Sequence, residues 1–210
     1  MNLPIASYRQ QIQGWPQHGR HILATYDNET IVVYQAYRAQ IATYALEHGC
    51  FGDGFSYQRM SWVKPGFLWM MHRSNWGRAQ GQEFVLAIRL RRSFFDSLLG
   101  QSVAYSFKES GTTDEADWRA SVARSDVRLQ WDPDHDPLGL RLPRRAIQLG
   151  LRRAALRAYG TTEAVEIQDV TGFVAQQREQ RGPKSELMLP VQRVYEPADP
   201  EVASRIRIDD

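Results

Sequence analysis

The alternation of apolar and polar positions marks out a small set of elements. Thr30-Ile31-Val32-Val33-Tyr34-Gln35-Ala36-Tyr37 is β-branched and aromatic and predicts a buried strand. Ile41, Ala42, Ala45 and Leu46 then fall on one stripe at helical spacing, with Gly49 as the stop. Phe51 to Ser56 is a glycine-rich turn. Between Met60 and Met71 the apolar residues are broken into two short elements by Pro65-Gly66. Residues 73–82 predict a loop and Glu83–Leu90 a strand. Ser93–Leu99 predicts a short helix with Ser93 as N-cap and Gly100 as stop. Residues 109–117 are acidic and turn-rich and predict a mobile loop.

The second half is read in the same way. Val127–Trp131 alternates as a half-exposed strand, and the Asp132–Pro137 stretch after it fits no regular element. Arg145–Leu151 predicts a strand, Arg152–Tyr159 a helix stopped by Gly160, and Ala164–Ile167 a strand. Gly172–Gln180 predicts a helix capped by Asp169 or Thr171, and a last strand lies near Leu189–Val194. Residues 1–29 read as a polar arm with at most a short helix, and 195–210 as a frayed, charged tail. About six strands without regular βαβ alternation disfavour a doubly wound sheet. They predict one α+β domain, a mixed and mostly antiparallel sheet with helices packed around it.

Composition fits that picture. A chain of 210 residues is long enough to bury its own core without a staple, and six Trp argue against disorder. The formal net charge of +2 does not suggest a general nucleic-acid binder. Apart from Lys64, Lys108 and Lys184 the basic residues are Arg, whose planar fork suits phosphates and carboxylates, although arginine-rich usage also follows genome composition. The single cysteine, Cys50, forbids an internal disulfide and suits a reducing compartment; it is a weak candidate nucleophile after His48 and Gly49. No apolar run of membrane-spanning length and no basic-then-apolar leader occur, so a cytoplasmic location without membrane attachment is expected.

Four groups of residues could carry chemistry. Arg38 emerges beside Tyr34 and Tyr37 where the first long strand gives way to a helix, a place to grip a phosphate and stack a ring. Residues 56–77 thread Lys64, His72 and Arg73 among Trp62, Trp69 and Trp76, which suits a cleft wall. A core strand pair with outward polar residues is the plainer alternative. Asp132, Asp134 and His135 offer oxygen and imidazole ligands for a divalent ion. Their prolines and spacing match no known metal loop and favour a structured acidic turn over a metal site. Arg141, Arg144, Arg145, Arg152, Arg153 and Arg157 form the most basic stretch, either a nucleic-acid surface or a solvated face paired with that turn. No dinucleotide fingerprint, P-loop, hydrolase elbow or zinc signature is present.

Val33–Arg38, Arg59–Pro65 with Phe67–Met70, Gln130–Pro137 and Arg144–Leu151 together resemble the family called domain of unknown function 4291, over nearly the whole chain. That name implies no activity. At the level of fold, the order of an Arg-bearing strand, a helix, a glycine-rich turn with Ser or Tyr, and a late strand with a polar residue resembles the ADP-ribosyltransferase superfamily. The resemblance implies NAD as cofactor and a nucleotide ligand, with RNA or DNA among the possible acceptors. By position it implies that Arg38 grips NAD, Ser56 or Tyr57 supports the ribose, Trp69 stacks, and Gln148 fills the slot of a catalytic Glu. An amide there can bond a ribose hydroxyl but cannot act as a base. The expected cleft thus lies between the Arg38 strand and residues 56–76. A nucleic-acid module on Arg141–Arg157 and a metal-dependent phosphoesterase on Asp132, Asp134 and His135 are the alternatives.

Overall fold

A computed structural model describes residues 3–182 and 186–209. The chain opens with β1 (Ile5–Ser7), α1 (Tyr8–Gln11), β2 (Gly19–Arg20) and β3 (Ile22–Ala24). Next come β4 (Thr30–Tyr37), α2 (Ala39–His48), β5 (Ser61–Val63) and α3 (Phe67–Ser74). β6 (Phe84–Arg91), α4 (Arg92–Gln101), β7 (Val103–Ala104), α5 (Phe107–Ser110) and α6 (Glu115–Arg124) follow. The second half holds the hairpin of β8 (Val127–His135) and β9 (Arg141–Leu151), then α7 (Arg153–Thr161), β10 (Ala164–Asp169) and α8 (Thr171–Glu179). It ends with β11 (Met188–Pro190), β12 (Arg193–Tyr195) and α9 (Pro200–Arg205).

The class is α+β with mostly antiparallel sheets, as the sequence predicts. β10, β6 and β4 form one antiparallel sheet. β2, β9, β8 and β7 form another, with β5 antiparallel on the end of β9; among the described residues only the β2–β9 and β7–β8 pairs are parallel. β1–β11 and β3–β12 are small two-stranded additions.

β4 reads as an unbroken apolar run because both of its faces are covered. Ile31 and Val33 meet Leu86, Ile88, Leu129, Trp131, Ile147 and Leu149, with α4 and α7 closing that core. Val32 and Tyr34 face the other way, onto Phe67, Met70 and Met71 of α3 and Val174 of α8. The β8–β9 hairpin is different. Its odd-numbered residues enter the core, which leaves Gln130, Asp132 and Gln148 on the opposite face by strand alternation.

Several local expectations change. The N-terminal arm is structured: Trp15 is buried and donates from its indole to the Gln192 carbonyl at 2.9 Å. The Asp132–Pro137 stretch begins inside β8, because beyond Leu129 that strand has β9 alone as its neighbour. Pro133 then removes no ladder bond from a second partner, and the register shifts beside it. Ser93 and Gly100 lie inside α4, whose N-cap position is Arg91, and Gly160 lies inside α7. The tail expected to fray carries α9, capped by Asp199, and Asp209 accepts from the Arg20 amide at 2.7 Å. The acidic segment at 109–117, expected as a loop, holds the end of α5 and the start of α6. Asp114 caps α6 by accepting from the amides of Ala116 and Asp117, at 2.7 and 3.2 Å.

Candidate functional site

Residues on β5, α3, β8 and β9 and on the segments between elements converge on a cleft of about 390 Å³, lined by Trp62, Lys64, Trp69, Met70, Arg73, Gln82, Tyr105, Gln130, Asp132 and Gln148. β5 carries Trp62 over the end of β9, where Trp62 pairs with Gly150. Gly150 is required there, since a Cβ would come within 2.6 Å of the Met60 sulfur and 3.0 Å of the Trp62 ring. Tyr105 meets Trp62 edge-on, with ring centroids 5.9 Å apart. Pro65-Gly66 then turns the chain into α3. There Arg73 lies four residues after Trp69 and three after Met70, on the same helical side as both. Gly150→Ala is expected to push Trp62 off the strand and cost about 1–3 kcal/mol. A lowered Tm together with altered Trp fluorescence would confirm it; an unchanged Tm would show that the indole repacks freely.

The floor is polar. Asp132 accepts from Gln130 Nε2 at 2.8 Å and from Gln148 Nε2 at 2.7 Å. Burial raises its pKa despite these two bonds. Lys64 is only 6% exposed. Its ammonium donates to the Trp62 carbonyl at 3.0 Å, and among the described residues no carboxylate lies within ion-pair distance of it. Burial, followed by the like charge of Arg73 and opposed by Asp132, lowers its pKa to about 7. Arg73 has no hydrogen bond or ion pair among the described residues.

Beside the cleft, three rings stack. His72 lies 3.5 Å from His135 between centroids, and Trp69 lies 5.5 and 5.4 Å from the two imidazoles. Burial lowers the pKa of both histidines, and His135 lowers that of His72 further. The Trp69 indole N–H is buried without an acceptor.

Of the residues singled out in the sequence, Trp62, Lys64, Trp69, Arg73, Asp132 and Gln148 meet in this cleft, with His72 at its edge. Arg38, Tyr34, Tyr37, Ser56 and Tyr57 do not line it. Arg38 is exposed at the start of α2 and reaches the Gly54 carbonyl at 3.4 Å. Tyr34 is buried against Phe67, and burial raises its pKa. The Tyr37 and Tyr159 hydroxyls both donate to Gln35 Oε1, whose amide nitrogen donates to Ser61 Oγ at 2.8 Å and the Trp62 carbonyl at 2.9 Å. Ser56 is exposed, and Tyr57 donates to the Phe51 carbonyl at 2.7 Å. The cleft is therefore bounded by the 62–73 segment and the β8–β9 hairpin. β4 reaches the backbone of its lining, where the Tyr34 amide donates to the Lys64 carbonyl at 2.7 Å and Gln35 Nε2 donates to the Trp62 carbonyl at 2.9 Å.

Asp132, Asp134 and His135 diverge. Asp132 faces the cleft, His135 joins the ring stack, and Asp134 accepts from Arg144 Nε at 2.9 Å and Nη2 at 2.6 Å. Among the described residues no group of three His, Cys, Asp or Glu is placed to hold a metal ion. The arginine stretch disperses too. Arg144 is buried on Asp134, while Arg152 and Arg153, with Arg128, donate to carbonyls at the C-terminal end of α6. Cations there offset the partial negative charge of the helix end. Arg157 lies over the Tyr57 ring.

Two other cavities have different linings. A recess of about 630 Å³ at Thr30, Arg91 and Asp96 carries no aromatic ring. One of about 230 Å³ beneath α6 contains Trp118 and Trp131, whose indoles already donate to the Ala104 and Ile206 carbonyls.

Sequence reading missed Asp132 as a cleft carboxylate, and also missed Gln82, Tyr105 and Gln130. The signal for Asp132 was the period of two linking it to Gln130, hidden when the Asp-Pro repeat was read as ending the strand. No helix among the described residues is long and apolar enough to cross a membrane. A family model described as "Domain of unknown function (DUF4291)" matches residues 21–195. No curated protein matches the chain.

Proposed function

The chain belongs to the family described as domain of unknown function (DUF4291), and from that starting point we propose that its cleft binds NAD or a closely related nucleotide and acts on it as an ADP-ribosyltransferase-like protein. One observation carries this reading. Among the described residues, two cations without carboxylate partners, Lys64 and Arg73, share a cleft with Trp62, Trp69 and Tyr105 and with a carboxylate held by two amides. Aromatic faces suit a base or nicotinamide ring, and unpaired cations suit a diphosphate. The Asp132–Gln148 pair suits ribose hydroxyls. The carboxylate missing at position 148 is supplied across the hairpin by Asp132, which can take a proton where an amide cannot.

Isothermal titration with NAD and ADP-ribose tests the proposal. Losing one charge-assisted contact costs about 1.5–3 kcal/mol, so Arg73→Ala should weaken binding roughly 10- to 100-fold. Arg38→Ala should change Kd by less than about twofold, because Arg38 lies outside the cleft lining. Absence of binding at millimolar ligand, or dependence on Arg38 instead of Arg73, would reject this site.

A further inference from the structure

We propose that Lys64 is the nucleophile of the cleft and attacks C1′ of an N-ribosyl nucleotide to form an imine, with Asp132 carrying the protons. The inference rests on the nucleotide reading and names the reacting group within it. A lysine kept only for structure at this depth would pair with a carboxylate, since burying an unpaired ammonium is costly. Lys64 instead has one neutral acceptor, the Trp62 carbonyl at 3.0 Å, and lines the cavity where a ligand would sit. The charged groups facing it there are Arg73, which disfavours the ammonium, and Asp132, which favours it. A free amine in a desolvated pocket is the form that attacks carbon. Asp132 is held by Gln130 and Gln148 on the floor of the same cavity, and burial makes it the more ready to hold a proton.

The step balances without an oxidant or metal. The Lys64 Nζ lone pair forms a bond to C1′ as the C1′–N glycosidic bond breaks, and that electron pair leaves with the base. Asp132 removes a proton from the resulting secondary ammonium. The nitrogen lone pair then forms C=N as the C1′–O4′ bond opens, and O4′ takes the proton back from Asp132. Water adding to C1′ releases the pentose and restores the amine. The net reaction is hydrolysis of the glycoside, and an acceptor amine or hydroxyl in place of water would give transfer.

The test traps the imine. The intact protein is incubated with NAD and cyanoborohydride, then measured by intact mass and peptide mapping. The expected result is a reduced ADP-ribosyl adduct on the Lys64 peptide, with nicotinamide released in equal amount. Lys108 and Lys184, the two remaining lysines of the chain, serve as internal controls. Lys64→Arg should abolish the adduct while still binding NAD. Asp132→Asn should slow adduct formation by about 100-fold or more at saturating NAD. If NAD binds but no adduct forms, or the adduct spreads over the three lysines, Lys64 is not the nucleophile and the nucleotide reading stands. If NAD does not bind, ribose 5-phosphate is the second probe, because its open-chain aldehyde needs only the amine. Reductive amination confined to Lys64 would keep the nucleophile and discard the nucleotide; modification no faster at Lys64 than at Lys108 would overturn the inference.

Discussion

Asp134→Ala is expected to lower the Tm by roughly 6–20 °C. Asp134 and Arg144 are 8% and 5% exposed at their side chains, and the guanidinium reaches the carboxylate through two nitrogens. Arg144 also donates to the Pro16 carbonyl at 2.6 Å and lies over the Trp15 ring at 5.4 Å. The pair thereby ties the N-terminal segment to the β8–β9 hairpin. Removing the carboxylate leaves a buried guanidinium without its counter-charge, at a cost of about 3–5 kcal/mol. In a domain of this size each kcal/mol moves Tm by about 2–4 °C. Arg144→Met in the Asp134→Ala background should recover part of the loss, because it removes the stranded charge. Differential scanning calorimetry reads both. A single-mutant shift under about 2 °C would mean that the pair contributes little. A wild-type Tm raised by Mn²⁺, with the rise lost in Asp134→Ala, would instead favour a metal site at this turn.

Lys64→Met is expected to stabilise the protein at neutral pH, by an amount that vanishes as the pH approaches 10. The lysine pKa falls from 10.5 to about 7 on folding. Between these values the unfolded chain holds a proton that the folded one has released. The folded state is thus penalised fully below about pH 7, and wild-type stability should rise with pH from 7 toward 10 at up to about 1.4 kcal/mol per unit. Methionine has no such penalty, so its profile should be flatter over that window and higher at pH 7 by a few kcal/mol. Denaturant unfolding at pH 7, 8.5 and 10 measures it. Parallel pH profiles for the two proteins would show that Lys64 keeps its proton when folded. A destabilising residue at the centre of a cleft fits the trade of stability for chemistry that functional sites make.

Much of the fold was legible because each long element has an apolar face of the right period. β4 announced itself through Ile31 to Tyr34, covered on both sides, and α2 through Ala42 and Ala45 with Gly49 at φ 66° closing it. α6 was not legible. It buries no residue, so it carries no apolar stripe. Its order comes from the Asp114 cap and from Arg128 on β8, Arg152 between β9 and α7, and Arg153 on α7, which reach its last carbonyls. The Asp-Pro repeat misled in the opposite direction, because Pro133 ends a strand only where its missing N–H would have had a partner.

The site divides in the same way. The chain alone grouped Lys64, Trp69 and Arg73 in one aromatic and cationic stretch, whereas the helix that sets Trp69 and Arg73 on one face runs into residues whose sequence predicts a loop. The chain also determined that Gln148 is a polar residue on an apolar strand. Only the tertiary structure decided what stands opposite them. The pairing of Gln130 with Gln148 across the hairpin puts Asp132 between two amides, while Arg144 takes Asp134 and His72 takes His135. Arg38 falls outside for the same reason. Where a strand ends is written locally, but which cavity its last side chain can reach depends on how two sheets pack, and that is set by contacts between residues more than a hundred positions apart.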